Sequence, residues 1–270
     1  MARVDYAGQF SGKHAIVTGG TMGIGEATAR LFAERGMAGQ VICGRSADRG
    51  RTVARSLSDS GCETHFVPTD LTRVADCRAV VAAADQAFGK VDVLVNVAAT
   101  SDRGTLLDTS AELFDRIFAL NVRAPFLLMQ DAAKIMIREE IEGAIVNIIS
   151  TASYGGLPFI AAYSSSKGAM VTLTRNAACS LARHRIRVNG LSNGWTDTPG
   201  EHAQRTGYHG LDEDWIDEAN ATQPFGRLIK AEEVAQAVAF LSADDSGIMT
   251  GAIVDYDQYV IGTAEDPSQT

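Results

Sequence analysis

The chain has 270 residues, 46% apolar and 21% charged, with 24 Lys and Arg against 33 Asp and Glu for a net charge of −9. This composition excludes a disordered chain, and a chain of this length can bury well over half of its unfolded surface without disulfides or a metal. The acidic balance argues against nucleic acid, an anionic membrane or a strongly acidic protein as the main partner, because these call for clustered Lys and Arg. Cys43, Cys62, Cys77 and Cys179 form no CxxC and have no His at ligand spacing. They fit a reduced, cytoplasmic protein better than a zinc or disulfide framework. MARVDYAGQFSGKH contains no apolar stretch of signal-peptide length, and no run of about 18 apolar residues occurs.

In chain order, residues 14–18 predict an apolar strand that runs into a glycine-rich turn, and 23–36 a helix with Ile24, Ala27, Leu31 and Phe32 on one side. Strand 41–44, polar helix 48–60, strand 64–67 and helix 74–88 follow, then a fully apolar strand at 91–96. A long helix is expected from about 110, a strand at 144–149, a helix at 161–183, a strand at 187–191, a helix at 234–241 and a last strand at 252–255. Several strands are nearly continuous aliphatic runs, the pattern of strands buried on both faces of a parallel sheet. Repeated strand–helix units predict a Rossmann-like, doubly wound α/β sheet with helices on both faces. No linker composition interrupts the series, so 1–270 is expected to be a single domain. Residues 194–223 show little apolar periodicity, and so long a segment in a compact domain is expected to be a substrate lid.

Thr18-Gly19-Gly20-Thr21-Met22-Gly23-Ile24-Gly25 lies between the first strand and the first helix. Glycines there let backbone amides approach a pyrophosphate at a helix N-terminus. Tyr163 and Lys167 stand four apart on a predicted helix and share a face. A phenol, with a reference pKa of about 10, is a poor base near neutrality, and a nearby ammonium is expected to lower it. Tyr163 would then exchange a proton as general acid/base. Ser150, at the end of an apolar strand, is placed to bond a substrate oxygen where charge develops. A surface Tyr–Lys pair on an interface helix is the competing reading.

TGGTMGIG at 18–25, Asp70-Leu71, Asn96-Val97-Ala98-Ala99, Asn121, Ser150, Tyr163-Ser-Ser-Ser-Lys167, Arg187-Val188-Asn189 and Thr250-Gly251 together resemble the short-chain dehydrogenase/reductase family, in its single-domain branch of roughly 250 residues. The resemblance runs from Gly12 to about Asp257. It implies catalytic roles for Asn121, Ser150, Tyr163 and Lys167, with Lys167 also binding ribose hydroxyls. It implies cofactor contacts from Gly19, Thr21, Met22, Gly23, Ile24, Gly25, Ser46, Asp70, Leu71, Asn96 and Ala98. Gly194, Thr196 and Thr198 would lie at the nicotinamide carboxamide, although simple loop polarity also explains the two threonines. Three departures stand out: NVAA lacks a second Asn and a Gly, Asn193 replaces the usual Pro, and Gln258-Tyr259 replaces a glycine pair.

Two further readings come from the residues. Thr109-Ser-Ala-Glu112 is expected as a capping box opening the helix near 110. Pro125 has no N–H to give the Asn121 carbonyl, so that oxygen is expected to be free to hold a water linking Lys167 to solvent. The alternative is Asn121 as a polar residue at a helix kink.

Cofactor choice rests on the residue after the second strand. An acid there bonds the adenosine ribose and repels a 2′-phosphate. This chain has Gly44-Arg45-Ser46 instead, which favours NADP(H) over NAD(H). An Arg45 stacked on adenine would suit NAD. No basic residue occupies 21 or 22, so a second phosphate clamp is absent from that loop.

By position, Ser153, Tyr154, Gly155, Trp195 and the 194–223 segment should line the substrate pocket. His202, Tyr208, His209 and Trp215 fall on that segment, and the two histidines are expected to face solvent rather than hold a metal. The polar lid points towards a sugar, polyol or hydroxy acid. The small residues of 161–183 and the helix at 110–136 are expected to pack between subunits of a homotetramer or dimer, or onto the chain's own sheet. The leading function is hydride transfer between NAD(P)(H) and a secondary alcohol or ketone. The alternatives are a dinucleotide-binding sensor or scaffold without turnover, and an epimerase or dehydratase of similar fold.

Overall fold

The computed structural model describes residues 6–209 and 215–261, and the side chains of Tyr208 and His209 lie outside the described residues. The strands are β1 (His14–Thr18), β2 (Gly39–Gly44), β3 (Glu63–Pro68), β4 (Val93–Asn96), β5 (Ala144–Ile148), β6 (Arg187–Asn193), β7 (Thr196–Asp197), β8 (Ile229–Lys230) and β9 (Ile253–Tyr256). Seven form one parallel sheet in the order β3-β2-β1-β4-β5-β6-β9. The central strands β1, β4 and β5 are buried almost throughout. Their near-continuous aliphatic sequences follow from having helices on both sides.

The helices are α1 (Gly23–Glu34), α2 (Ala47–Asp59), α3 (Val74–Phe88), α4 (Ala111–Phe118), α5 (Ala124–Arg138), α6 (Ala161–Leu181), α7 (Pro199–His209), α8 (Trp215–Ala221) and α9 (Ala231–Ser242). Phe32 of α1, Leu57 of α2 and Val238 of α9 fill one face of the sheet with Val17 and Val95. Val80 of α3, Leu128 of α5 and Ala178 of α6 fill the other with Ile16 and Leu94. The chain builds outwards from β1 to β3, then returns to the opposite side of β1 with β4. That reversal opens a crevice at the carboxyl ends of β1 and β4, where open α/β sheets bind ligands. Among the described residues no helix is long and apolar enough to cross a membrane.

Two expectations need correction. The helix from 110 is two helices, α4 and α5, joined by a π-helical turn at Ala119–Arg123 in which the Ala124 amide donates to the Ala119 carbonyl. Pro125 near the start of α5 explains the break, because a proline cannot continue the regular hydrogen-bond ladder. The cap of α4 is Ser110 rather than Thr109: Ser110 Oγ accepts from the Leu113 amide at 3.2 Å, while Thr109 Oγ1 donates to the Thr105 carbonyl at 2.6 Å. Residues 194–223, expected as a lid, contain β7, α7 and α8, and β7 pairs with β8. Trp215 anchors that segment, packed against Ala219, Leu228 and Trp195 and only 4% exposed.

Candidate active site

The glycine turn is held by contacts that a side chain would break. Gly19 has φ +66°, and a Cβ on it would lie 3.2 Å from Ala98 Cα. A Cβ on Gly25 would lie 2.2 Å from the Gly19 carbonyl oxygen, so α1 sits directly on the turn. Thr18 Oγ1 accepts from the Val97 and Ala98 amides at 2.9 and 3.1 Å, tying this turn to the segment after β4. No side chain caps the first turn of α1, whose N-cap is Met22. An uncapped helix N-terminus behind close-packed glycines fits a dinucleotide pyrophosphate. Gly23 at φ +55° approaches Thr198, which brings the start of α7 to the same turn.

Around the adenosine end, Thr21 is buried against Gly44, whereas Arg45 is exposed and Ser46 begins α2. Asp70 Oδ1 accepts from the Thr72 amide and hydroxyl at 3.0 and 2.7 Å, which holds its carboxyl below the usual range. Leu71 packs in the core and Asn96 Nδ2 donates to Asn147 Oδ1 at 2.8 Å inside the sheet. Asn96 Oδ1 has no hydrogen-bond partner among the described residues. One basic residue escapes the sequence reading: Arg49, one turn after Arg45 on α2, places Nη1 3.2 Å from Met22 Sδ of the glycine turn. Its place in the first turn of the polar helix that follows Arg45 is the available signal.

Ser150, Tyr163 and Lys167 converge on one cavity of about 550 Å³ beside this turn, together with Ile24, Gly194 and Thr196. Lys167 is 3% exposed and donates from Nζ to the Ile148 carbonyl at 2.8 Å. Burial lowers its pKa to about 8. Burial also pushes the Tyr163 phenol above its ordinary value, while a hydrogen bond with Ser150 pulls it back; Glu201 adds to the rise and Arg103 opposes it. The expected lowering of the phenol by Lys167 is therefore absent from this arrangement. The ammonium is directed at the Ile148 carbonyl, with Nζ 5.7 Å from the Tyr163 ring centroid.

Asn121 is 2% exposed and its side chain is fully engaged. Oδ1 accepts from the Thr100 amide at 2.9 Å, and Nδ2 donates to the Thr100 carbonyl at 2.9 Å and to Ser166 Oγ at 3.0 Å. It thus pins the segment after β4 to α6, one residue before Lys167.

The cavity wall differs from the expected one. Thr151, Ala152, Leu157 and Phe159 line it, but Ser153, Tyr154 and Gly155 do not. The short 3-10 turn Thr151–Tyr154 carries Tyr154 outwards, where its hydroxyl donates to Asp255 at 2.9 Å. Trp195 does line the cavity and donates from Nε1 to Glu201 Oε1 at 3.1 Å. His202 is half-buried, and its Nδ1 accepts from Trp215 Nε1 at 3.1 Å. Arg103, Glu201, Arg205 and Tyr259 complete the wall; Glu201 and Arg205 fall on the expected 194–223 segment without being singled out there, and Arg103 and Tyr259 lie outside it. The i, i+4 spacing of Glu201 and Arg205 is a signal for the pair, though not for its partner Arg103.

Two of the sequence departures have visible consequences. Asn193 Nδ2 donates to the Gly194 carbonyl and to Thr196 Oγ1, both at 3.1 Å, holding the turn where a proline would otherwise stand. Gln258 bonds the Phe225 amide at 2.8 Å and the Arg227 carbonyl at 2.6 Å, and Tyr259 Oη donates to the Thr222 carbonyl at 2.6 Å. The residues replacing a glycine pair therefore staple the segment after β9 to the end of α8 and close one edge of the cavity.

The model of the family described as "Enoyl-(Acyl carrier protein) reductase" matches residues 19–258. The cis-4-hydroxycyclohexanecarboxylate dehydrogenase of Sinomonas cyclohexanicum is 36% identical over 92% of this chain and 96% of its own. The mitochondrial (−)-isopiperitenol/(−)-carveol dehydrogenase of Mentha piperita is 37% identical over 90% and 91%. The crystal structure of a single-residue variant of actinorhodin polyketide ketoreductase with NADPH superposes with a TM-score of 0.85 at 32% identity, covering 93% of this chain and 98% of that one. With the glycine turn, the parallel sheet and these relatives in agreement, the chain belongs to the short-chain dehydrogenase/reductase family, NAD(P)-dependent oxidoreductases that interconvert alcohols and ketones.

Proposed function

We propose that this protein interconverts a secondary alcohol and its ketone with Tyr163 as the proton-transferring group, Ser150 as the oxygen-orienting group and Lys167 as the neighbouring cation. The observation that carries this reading is that Ser150, Tyr163 and Lys167 line one cavity at the glycine turn. Gly19, Gly23 and Gly25 would hold the pyrophosphate, and Thr196 and Thr198 would hold the carboxamide end. A bound nicotinamide dinucleotide supplies the hydride acceptor or donor. Ser150 bonds the substrate oxygen and fixes it near the phenol. Tyr163 Oη gives its proton to that oxygen in reduction and takes it back in oxidation. Its raised pKa makes it a neutral phenol near pH 7, the form that donates. Alcohol oxidation is accordingly expected to climb with pH above neutrality. Asn121 sets the spacing between the wall after β4 and α6.

NADP(H) is the favoured cofactor, supported by Arg45 with no acid in its place and by Arg49 beside Met22. Residues 194–223 act as a lid within a single domain. A homotetramer or dimer is supported by apolar side chains left on α4 and α5, where Phe114 and Phe126 are 42% and 48% exposed. The cytoplasm is supported by the unpaired cysteines, three of them buried.

The test is Tyr163→Phe assayed on a panel of cyclic alcohols, a ring hydroxy acid, terpenoid alcohols and polyols, with both cofactors. Turnover should fall at least 1000-fold while NADPH affinity, read by fluorescence, stays within about threefold. A wild-type protein that binds NADPH but turns over nothing in the panel would favour the sensor reading.

A further inference from the structure

Arg205 is held in the cavity wall by contacts on two sides. Its Nε donates to Glu201 Oε1 at 2.9 Å, and its guanidinium lies 4.4 Å from the Trp195 ring centroid and 5.9 Å from that of Trp215. Trp195 and Trp215 are themselves stacked, 6.0 Å apart and 19° from parallel. Trp195 Nε1 and Arg103 Nη2 also donate to Glu201 Oε1, at 3.1 and 3.4 Å. The guanidinium is therefore fixed at one edge and over one face. Among the described residues its two Nη nitrogens have no acceptor. The Arg205 side chain is only 20% exposed, and the residue lines the same cavity as Ser150 and Tyr163.

An arginine held in this way has lost most of its rotamer freedom before any ligand arrives, and its planar fork suits a carboxylate. The cavity that Arg205 and Tyr163 share is also lined by the apolar Leu157, Phe159 and Ile160. We propose that Arg205 binds a carboxylate of the substrate, so that the protein acts on secondary alcohols or ketones whose apolar body carries an acid group distant from the reacting carbon. The inference rests on the oxidoreductase reading above and names its substrate class. Arg205 is a specificity-determining residue in this scheme; the proton transfer stays with Tyr163.

The experiment compares 4-hydroxycyclohexanecarboxylate with its primary amide, a neutral compound of nearly the same shape. The wild-type protein should favour the acid over the amide at least tenfold in kcat/KM, mainly through KM, with the ratio shrinking as salt is raised. Arg205→Gln should bring that ratio close to one. Arg205→Lys should restore part of it, since a lysine keeps the charge and loses the fork. Binding gives a second readout: with NADP present, the acid should raise the melting temperature of the wild-type protein and of Tyr163→Phe more than the amide does, and should not do so for Arg205→Gln. Equal treatment of acid and amide by the wild type in both assays overturns the proposal. So does an equal loss for acid and amide in Arg205→Gln, which marks a structural clamp. Acid-selective stabilisation without turnover of any alcohol supports the anion site while sinking the oxidoreductase reading.

Discussion

The two sides of the crevice are built from different materials. On the dinucleotide side, from β1 to β3, the surface is backbone: glycines at positive φ, an uncapped helix end, and contacts so close that a Cβ has no room. On the substrate side, from the end of β6 to the segment after β9, the surface is long side chains: Trp195, Glu201, Arg205 and Tyr259, which meet Arg103 of the segment after β4. The first kind of surface recognises what all its ligands share. The second can change ligand by changing one side chain while the frame stays in place.

The largest test of this contrast is Gly25→Ala. Its new Cβ would sit 2.2 Å from the Gly19 oxygen, so α1 or the turn has to move. Overpacking of this kind costs about 1–3 kcal/mol, and NADPH affinity should fall at least tenfold by titration. Leu157→Ala, at a residue 38% exposed on the substrate wall, should leave the melting temperature within about 1 °C. If both variants melt alike and bind NADPH alike, the contrast is wrong.

Arg45→Ala and Arg49→Ala probe the one place where the dinucleotide side uses long side chains. Each charge-assisted bond is worth about 1.5–3 kcal/mol, so NADPH should bind about 10- to 100-fold more weakly for each arginine lost and at least about 100-fold more weakly in the double variant, with NADH little changed. Unchanged NADPH affinity would remove both residues from cofactor choice. A loss confined to Arg45→Ala would leave Arg49 as packing on Met22.

Lys167 lies at the seam between the two sides. Its folded pKa of about 8 is below its ordinary 10.5, so the folded protein binds fewer protons between those values and stability rises with pH across that window. Below pH 8 the buried ammonium costs its full amount. Lys167→Met should therefore abolish turnover and still raise stability at pH 7 by about 2 kcal/mol, allowing for the lost bond to the Ile148 carbonyl. Calorimetry at pH 7 and pH 10 should show that gain shrinking. A variant less stable than wild type at pH 7 would mean the bond outweighs the burial.

Legibility follows the same division. The bounds of β1 and α3 agree with the sequence reading, and the parallel order follows from aliphatic runs that only a doubly covered sheet explains. The glycine turn can be found from its place between a strand and a helix, Tyr163 and Lys167 from their i, i+4 spacing, and Ser150 from the family resemblance and its place at the end of an apolar strand. Arg103, Glu201 and Arg205 cannot be found in this way. They come from segments nearly one hundred positions apart, joined by a fold that periodicity predicts only in outline. Ser153 is misplaced for a related reason: a 3-10 turn redirects the chain after β5, and no residue pattern marks it. Residues 194–223 are opaque because their hydrophobic anchors, Trp195 and Trp215, are few and widely spaced.

The π turn at Ala119–Arg123 makes α4 and α5 angularly independent although they are continuous in sequence. One extra residue in a turn rotates everything downstream by roughly 100° about the axis. The stripe Leu128, Ala132 and Met136 meets the sheet only because that rotation has been made. In this stretch a one-residue insertion or deletion would act as a dial on the facing of α5, with little effect on its length.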